Sequence, residues 1–248
     1  MKTIYIMWLR QIKRYMRSKS RIIGSLGQPI LFLVALGYGL GATFAKAGQG
    51  NYFQFLAPGI IGMSIIFTAI FSGIEMIWDR QFGFLKETLV APVSRFNIML
   101  GRTLGGATVA TFQGMVVFLL VLIPGFRPYS WPLVLPAFVM MFLVALLFTA
   151  LGTTIASLLE DMQGFQLIMN FLVMPLFFLS GALFPLEGLP PAMAIVTKFD
   201  PLSYGIDSFR ILLVNISHYG LGADIAVLSI ITLFFLALGS YFFSKIQV

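Results

Sequence analysis

The stretch WDRQFGFLKETLVAPVSR, residues 78–95, is polar and charged and stands between two long hydrophobic runs. Its setting decides the fold, because the material on either side can only be membrane-spanning. Of 248 residues, 59% are hydrophobic and 10% charged, against roughly 25% charged in a soluble domain. A bilayer removes that apolar surface from water, whereas a soluble core of this length could not. The length fits one compact membrane domain without a sizeable soluble one. Within the insertion, Glu87, Leu89 and Val90 suit a short helix that Pro92 would stop, and Ser94 is placed to cap the next helix. Such a stiff element can transmit a push and serve as a cytoplasmic docking surface. A plain charged loop that only fixes topology is the alternative.

Six apolar segments are long enough to cross about 30 Å of hydrocarbon at about 1.5 Å per residue: 22–44, 53–77, 98–123, 131–158, 165–184 and 223–243. They are expected to be helices, since an open strand in lipid leaves backbone groups unpaired. The fold class is an all-α integral membrane protein with two parts, residues 1–21 and a six-span domain over 22–248. Lys2, Arg10, Lys13, Arg14, Arg17, Lys19 and Arg21 precede the first span, and Arg80, Lys86, Arg95, Arg102 and Lys245 share their side. Only Lys46, Arg127, Lys198 and Arg210 fall opposite. The positive-inside bias therefore puts both termini in the cytoplasm. The basic amino-terminal region is too long for a cleavable signal peptide.

Residues 1–21 form a helix of a second kind. At about 100° per residue, Arg10, Lys13, Arg14, Arg17 and Arg21 share one face, opposite Ile4, Tyr5, Trp8, Ile12, Tyr15 and Met16. The pattern predicts a helix in the headgroup plane, basic side toward water and anionic lipid, ending or bending near Ser18 because Lys19 falls on the wrong face. It is either a topology anchor or an anchor that also touches a cytoplasmic partner. Residues 185–222 are interrupted by Pro185, Pro190, Pro191 and Pro201 and predict short external helices that could dip partway into the outer leaflet, one over 206–214 with Asp207 and Arg210 at i,i+3; a loose loop is the alternative. Gly101 and Gly105 are spaced for close helix approach.

Absences narrow the chemistry. The sequence has no cysteine and one histidine, His218, so no His-based metal cluster or His-centred triad is available. There is no GxxxxGK[ST] loop, GxSxG or HExxH motif. Glu75 and Arg102 lie near the cytoplasmic span ends, where long side chains can reach water. No carboxylate sits at mid-depth, which counts against an ion-driven carrier or channel. Phe67, Phe71, Gln166, Met169, Asn170 and Phe177 are candidates for a substrate path, since aromatic and Met walls suit amphiphilic cargo; lipid contact would explain the same residues.

The segment DRQFGFLKETLVAPVSR resembles the motif that follows the second span in permeases of the second exporter type of ABC transporters, the drug, polysaccharide and lipid export family. Asp79, Arg80, Gly83, Leu89, Ala91, Pro92, Ser94 and Arg95 match, while Gln81 replaces a usual acidic residue. DPLSYGIDSFR, residues 200–210, is similar to the element before the last span in that family, through Pro201, Tyr204, Asp207 and Arg210, with Asp200 where Asn is commoner. The resemblance implies a permease that exports a hydrophobic or amphiphilic substrate, or a lipid-linked polysaccharide, across a prokaryotic inner membrane. Residues 78–97 would be the coupling helix, with Asp79, Arg80, Gly83, Glu87, Thr88, Leu89, Pro92, Ser94 and Arg95 as coupling residues. Residues 1–21 would be the interface helix, with Arg10, Lys13, Arg14 and Arg17. Implied partners are two copies of an ABC ATPase subunit, a second permease copy (the same or a paralogue) and membrane lipid, with no nucleic acid. ATP and Mg would be cofactors of the ATPase, none of this chain, and spans one, two and five would line the path.

Overall fold

A computed structural model describes residues 2–46, 51–90, 92–186 and 190–246. Their regular structure is helical, with no strand among the described residues. In chain order the α-helices are α1 (Lys2–Arg17), α2 (Lys19–Lys46), α3 (Tyr52–Phe71), α4 (Ile74–Gln81), α5 (Phe84–Val90) and α6 (Arg95–Val121). There follow α7 (Val134–Leu158), α8 (Met162–Leu179), α9 (Pro191–Phe199), α10 (Pro201–Val214) and α11 (Leu221–Ser244). Six segments are long and apolar enough to span a bilayer: Lys19–Gly41, Tyr52–Gln81, Arg95–Val121, Trp131–Leu158, Met162–Leu179 and Leu221–Ser244. Each overlaps an expected span. The fifth ends earlier than predicted, because Gly181 turns the chain at a φ of 75° and Leu186 folds back onto it.

The second, third and fourth spans make the core. Of the second span's apolar window, 78% is buried within the chain, against 17%, 22% and 17% for the first, fifth and sixth. The outer three spans keep broad apolar faces open, as lipid or another subunit requires. Where α3 gives way to α4 the helix breaks at Ser72 and Gly73, and a Cβ on Gly73 would stand 2.5 Å from the Gly152 carbonyl oxygen. The second and fourth spans thus touch backbone to backbone, and α4 leaves the core in a fixed direction.

α10 is more deeply buried than an amphipathic external helix would be. It starts at Pro201 and is buried along most of its length, with Gly205 against Val144 and Ile206 against Gly62. Both partners lie about ten residues inside their spans, so α10 dips about 15 Å into the bundle. It is a packed plug between α3, α7 and α11, not a surface amphipathic helix.

Candidate functional site

The two faces of α1 have different neighbours. Ile4, Met7, Trp8, Gln11 and Tyr15 lie against α6, where a Cβ on Gly101 would meet the Ile4 carbonyl at 2.7 Å and one on Gly105 would meet Gln11 at 2.6 Å. Trp8 Nε1 donates to Thr108 Oγ1 at 3.0 Å, and Tyr15 Oη to Gln113 Oε1 at 2.6 Å. Burial raises the Tyr15 hydroxyl above its ordinary pKa. Contacts advance along both helices in the same order, so α1 runs beside α6. The glycine pair supplies the groove that allows it. The break expected near Ser18 is present.

Part of the basic face is likewise turned inward. Asp79 of α4 accepts hydrogen bonds from Arg10 at 3.0 Å, from Arg14 at 3.2 Å and from Arg102 of α6. Glu75, one turn earlier, pairs with Arg21 of α2, with Arg14 at 3.9 Å. The Asp79 and Arg102 side chains are 3% and 2% exposed. Glu75 and Arg102 therefore do not reach water as expected; they are sealed in a network that joins α1, α2, α4 and α6. Arg21, Glu75 and Arg102 belong to this site, and Glu75 and Asp79 at i,i+4 on one span end were the sequence signal for it. Lys13 and Arg17 stay exposed and make no ion pair among the described residues.

α5 projects from this joint. Gly83, at a φ of 78°, makes the turn between α4 and α5, a conformation that other residues resist. Arg80 pairs with Glu160 at 2.5 Å and Gln81 donates to the Glu160 carbonyl at 3.0 Å, tying α4 to the turn before α8. Glu87 and Val90 are exposed on α5, Thr88 bonds back to the Phe84 carbonyl, and Leu89 lies in the same helix. Ala91 lies outside the described residues. Pro92 follows, exposed, in the turn before α6. Ser94 holds the N-cap backbone position of α6, yet its side chain makes no cap bond. Arg95 donates to the carbonyls of Ser244 and Ile246, so it fastens the end of α11.

At the opposite end of the bundle, Asp207 and Arg210 do not bond to each other. Asp207 accepts from the backbone amides of His218 at 2.8 Å, Tyr219 at 2.7 Å and Gly220 at 3.3 Å. Arg210 donates to the Gly181 carbonyl at 2.6 Å and lies 4.0 Å from the Phe55 ring centre. Burial lowers its pKa to about 10, against the raising pull of Asp207. Pro201 starts α10 and Asp200 caps it through Leu202 N at 2.9 Å. The other Asp200 oxygen is buried without a hydrogen bond. Burial raises that carboxyl to about 7, opposed more weakly by the Leu202 amide and Ser203 hydroxyl. Tyr204 stacks on Tyr219 at 4.6 Å and donates to the Lys198 carbonyl.

The six path candidates divide. Phe67 and Phe71 line a cavity of about 330 Å³ between α2 and α3, with Arg21, Ser25, Gln28 and Ser64. Met169 and Phe177 are fully buried on the inner face of α8, while Gln166 and Asn170 are exposed on its outer face.

A six-span helical chain with a charged joint and a short helix at one end defines a multi-pass membrane protein. Residues 2–214 match the model of the ABC-2 type transporter family, and the chain belongs to that family. It is similar to nodulation protein J of Rhizobium leguminosarum bv. viciae, 29% identical over 191 residues, covering 76% of this chain and 73% of the relative. It is also similar to nodulation protein J of Sinorhizobium fredii, 28% identical over 237 residues with 94% and 90% covered. The inner membrane transport permease YadH of Escherichia coli K12 is 29% identical over 210 residues, with 82% and 79% covered. Membership makes the chain a transport permease and implies an ABC ATPase as partner.

Proposed function

We propose that this chain is the membrane subunit of an ATP-driven exporter, in which two copies each present α5 to a separate ATPase subunit in the cytoplasm. The observation that carries this reading is the ion-pair network of Arg10, Arg14, Arg21, Glu75, Asp79 and Arg102, buried at its carboxylates and Arg102, at the root of α5. Closure of the ATPase pair on nucleotide would push α5, and the joint would pass that motion to α1, α2 and α6 together. The energy lies in the partner; this chain supplies two span arrangements that respond to it. Twelve of its 16 Lys and Arg residues fall on the α5 side, which supports cytoplasmic termini. The cavity of Phe67 and Phe71, apolar with Ser25, Gln28 and Ser64 in its wall, supports a hydrophobic or amphiphilic cargo, drug-like or lipid-like.

Glu87→Gln in the copurified complex tests it. Glu87 is exposed and makes no side-chain hydrogen bond or ion pair among the described residues, so the variant should keep its melting temperature while transport and permease-dependent ATP hydrolysis fall together. Unchanged transport and hydrolysis would contradict the assignment. Arg95 is a poorer probe, because its substitution also releases α11.

A further inference from the structure

We propose that the groove between α1 and the α4–α5 turn binds one anionic phospholipid, its phosphate held by Lys13 and Arg17 and its first acyl carbons against Phe82 and Phe84. The groove encloses about 620 Å³ and is walled by Ile6, Leu9, Trp78, Phe82 and Phe84 beside the basic stripe of α1. That volume lies within the range of small-molecule clefts.

Charge selects an anion. Arg10 and Arg14 line the same groove and already share Asp79. Lys13 and Arg17, one turn apart, are exposed with no carboxylate partner among the described residues. Trp78, Phe82 and Phe84 are 40%, 70% and 52% exposed beside them. Cations next to open aromatic rings fit a molecule that is anionic at one end and apolar at the other.

Depth selects a lipid over a soluble acidic partner. From Tyr52 to Asp79 the helical rise is about 40 Å. Centred on about 30 Å of hydrocarbon, it leaves about 5 Å at each end, within the headgroup layer. Asp79 lines the groove and pairs with Arg10 and Arg14, which flank Lys13 on α1, so the groove opens at headgroup level. A lipid seated there would brace α1 against the root of α5.

Native mass spectrometry of the purified full chain, equilibrated with micelles containing phosphatidylglycerol or phosphatidylcholine, tests the proposal. One phosphatidylglycerol per chain should be retained in preference to phosphatidylcholine, and excess inorganic phosphate should not displace it. Lys13→Gln with Arg17→Gln should weaken retention about thirtyfold. Phe82→Ala with Phe84→Ala should weaken it too, without removing the preference for the anionic headgroup. Equal retention of both lipids, an unaffected double-Gln variant of unchanged melting temperature, or displacement by phosphate alone would overturn it. So would displacement of the bound lipid by the partner ATPase, which would make the groove a protein contact.

Discussion

The two ends of the bundle bury charge in different ways. At the α1 end, two carboxylates are shared among four arginines, the six side chains coming from four separate helices. At the α10 end, Asp207 is held by three backbone amides and Arg210 by a carbonyl and a ring, although the two stand one helical turn apart. Ion pairs between elements bind those elements into one body. Backbone bonds to a loop fix a single local shape. The first arrangement suits a joint that must carry motion, the second a plug that must hold still.

Substitutions should separate these two designs. The largest effect is expected for Asp79→Ala, which leaves Arg102 buried with no carboxylate; thermal unfolding in detergent should show a loss of about 3–5 kcal/mol. Asp200→Asn should act in the opposite direction. The Asp200 carboxyl is raised from 3.8 to about 7 in the folded chain. Folding therefore favours its protonated form, and wild-type stability falls as pH rises from about 4 through about 7. The Asn variant should be more stable by about 2–4 kcal/mol at pH 8, with the gain vanishing near pH 4. Asp207→Asn should cost about 1–3 kcal/mol, less than the loss at Asp79, because the amide oxygen still accepts from the loop. Glu87→Gln should change stability by no more than about 0.5 kcal/mol, and only its transport defect would mark it as functional.

The sequence made the spans legible because hydropathy is a property of each segment by itself. Five of the six ends agreed closely, and the Gly181 turn accounts for the shortened fifth span. The break at Ser18 followed from helical periodicity, and the stop after Val90 from Pro92. Periodicity also identified the basic face of α1. It could not say what that face meets, since Glu75 and Asp79 lie more than fifty residues away on another helix. Headgroup lipid was the default partner, and the Gly101–Gly105 groove that draws α1 onto α6 instead gives Arg10 and Arg14 the Asp79 carboxylate. The same limit left open how far α10 dips: its prolines marked a broken segment, but burial depends on Gly62 and Gly205 opening space between distant spans. The spacing of Asp207 and Arg210 suggested a pair, and competing backbone partners prevailed.

The central claim is that α5 and α1 move as one body because the Asp79 network joins them. The chain has no cysteine, so labels can be placed cleanly at the exposed positions Val90 on α5, Met16 on α1 and Leu167 on α8. Pulsed electron-spin distance measurement on the reconstituted complex, with and without a non-hydrolysable ATP analogue, tests the claim most directly. The 16–90 distance should hold constant while the 90–167 distance shifts. A change in the 16–90 distance equal to that at 90–167 would mean that α5 swings free of α1, and the joint would transmit nothing.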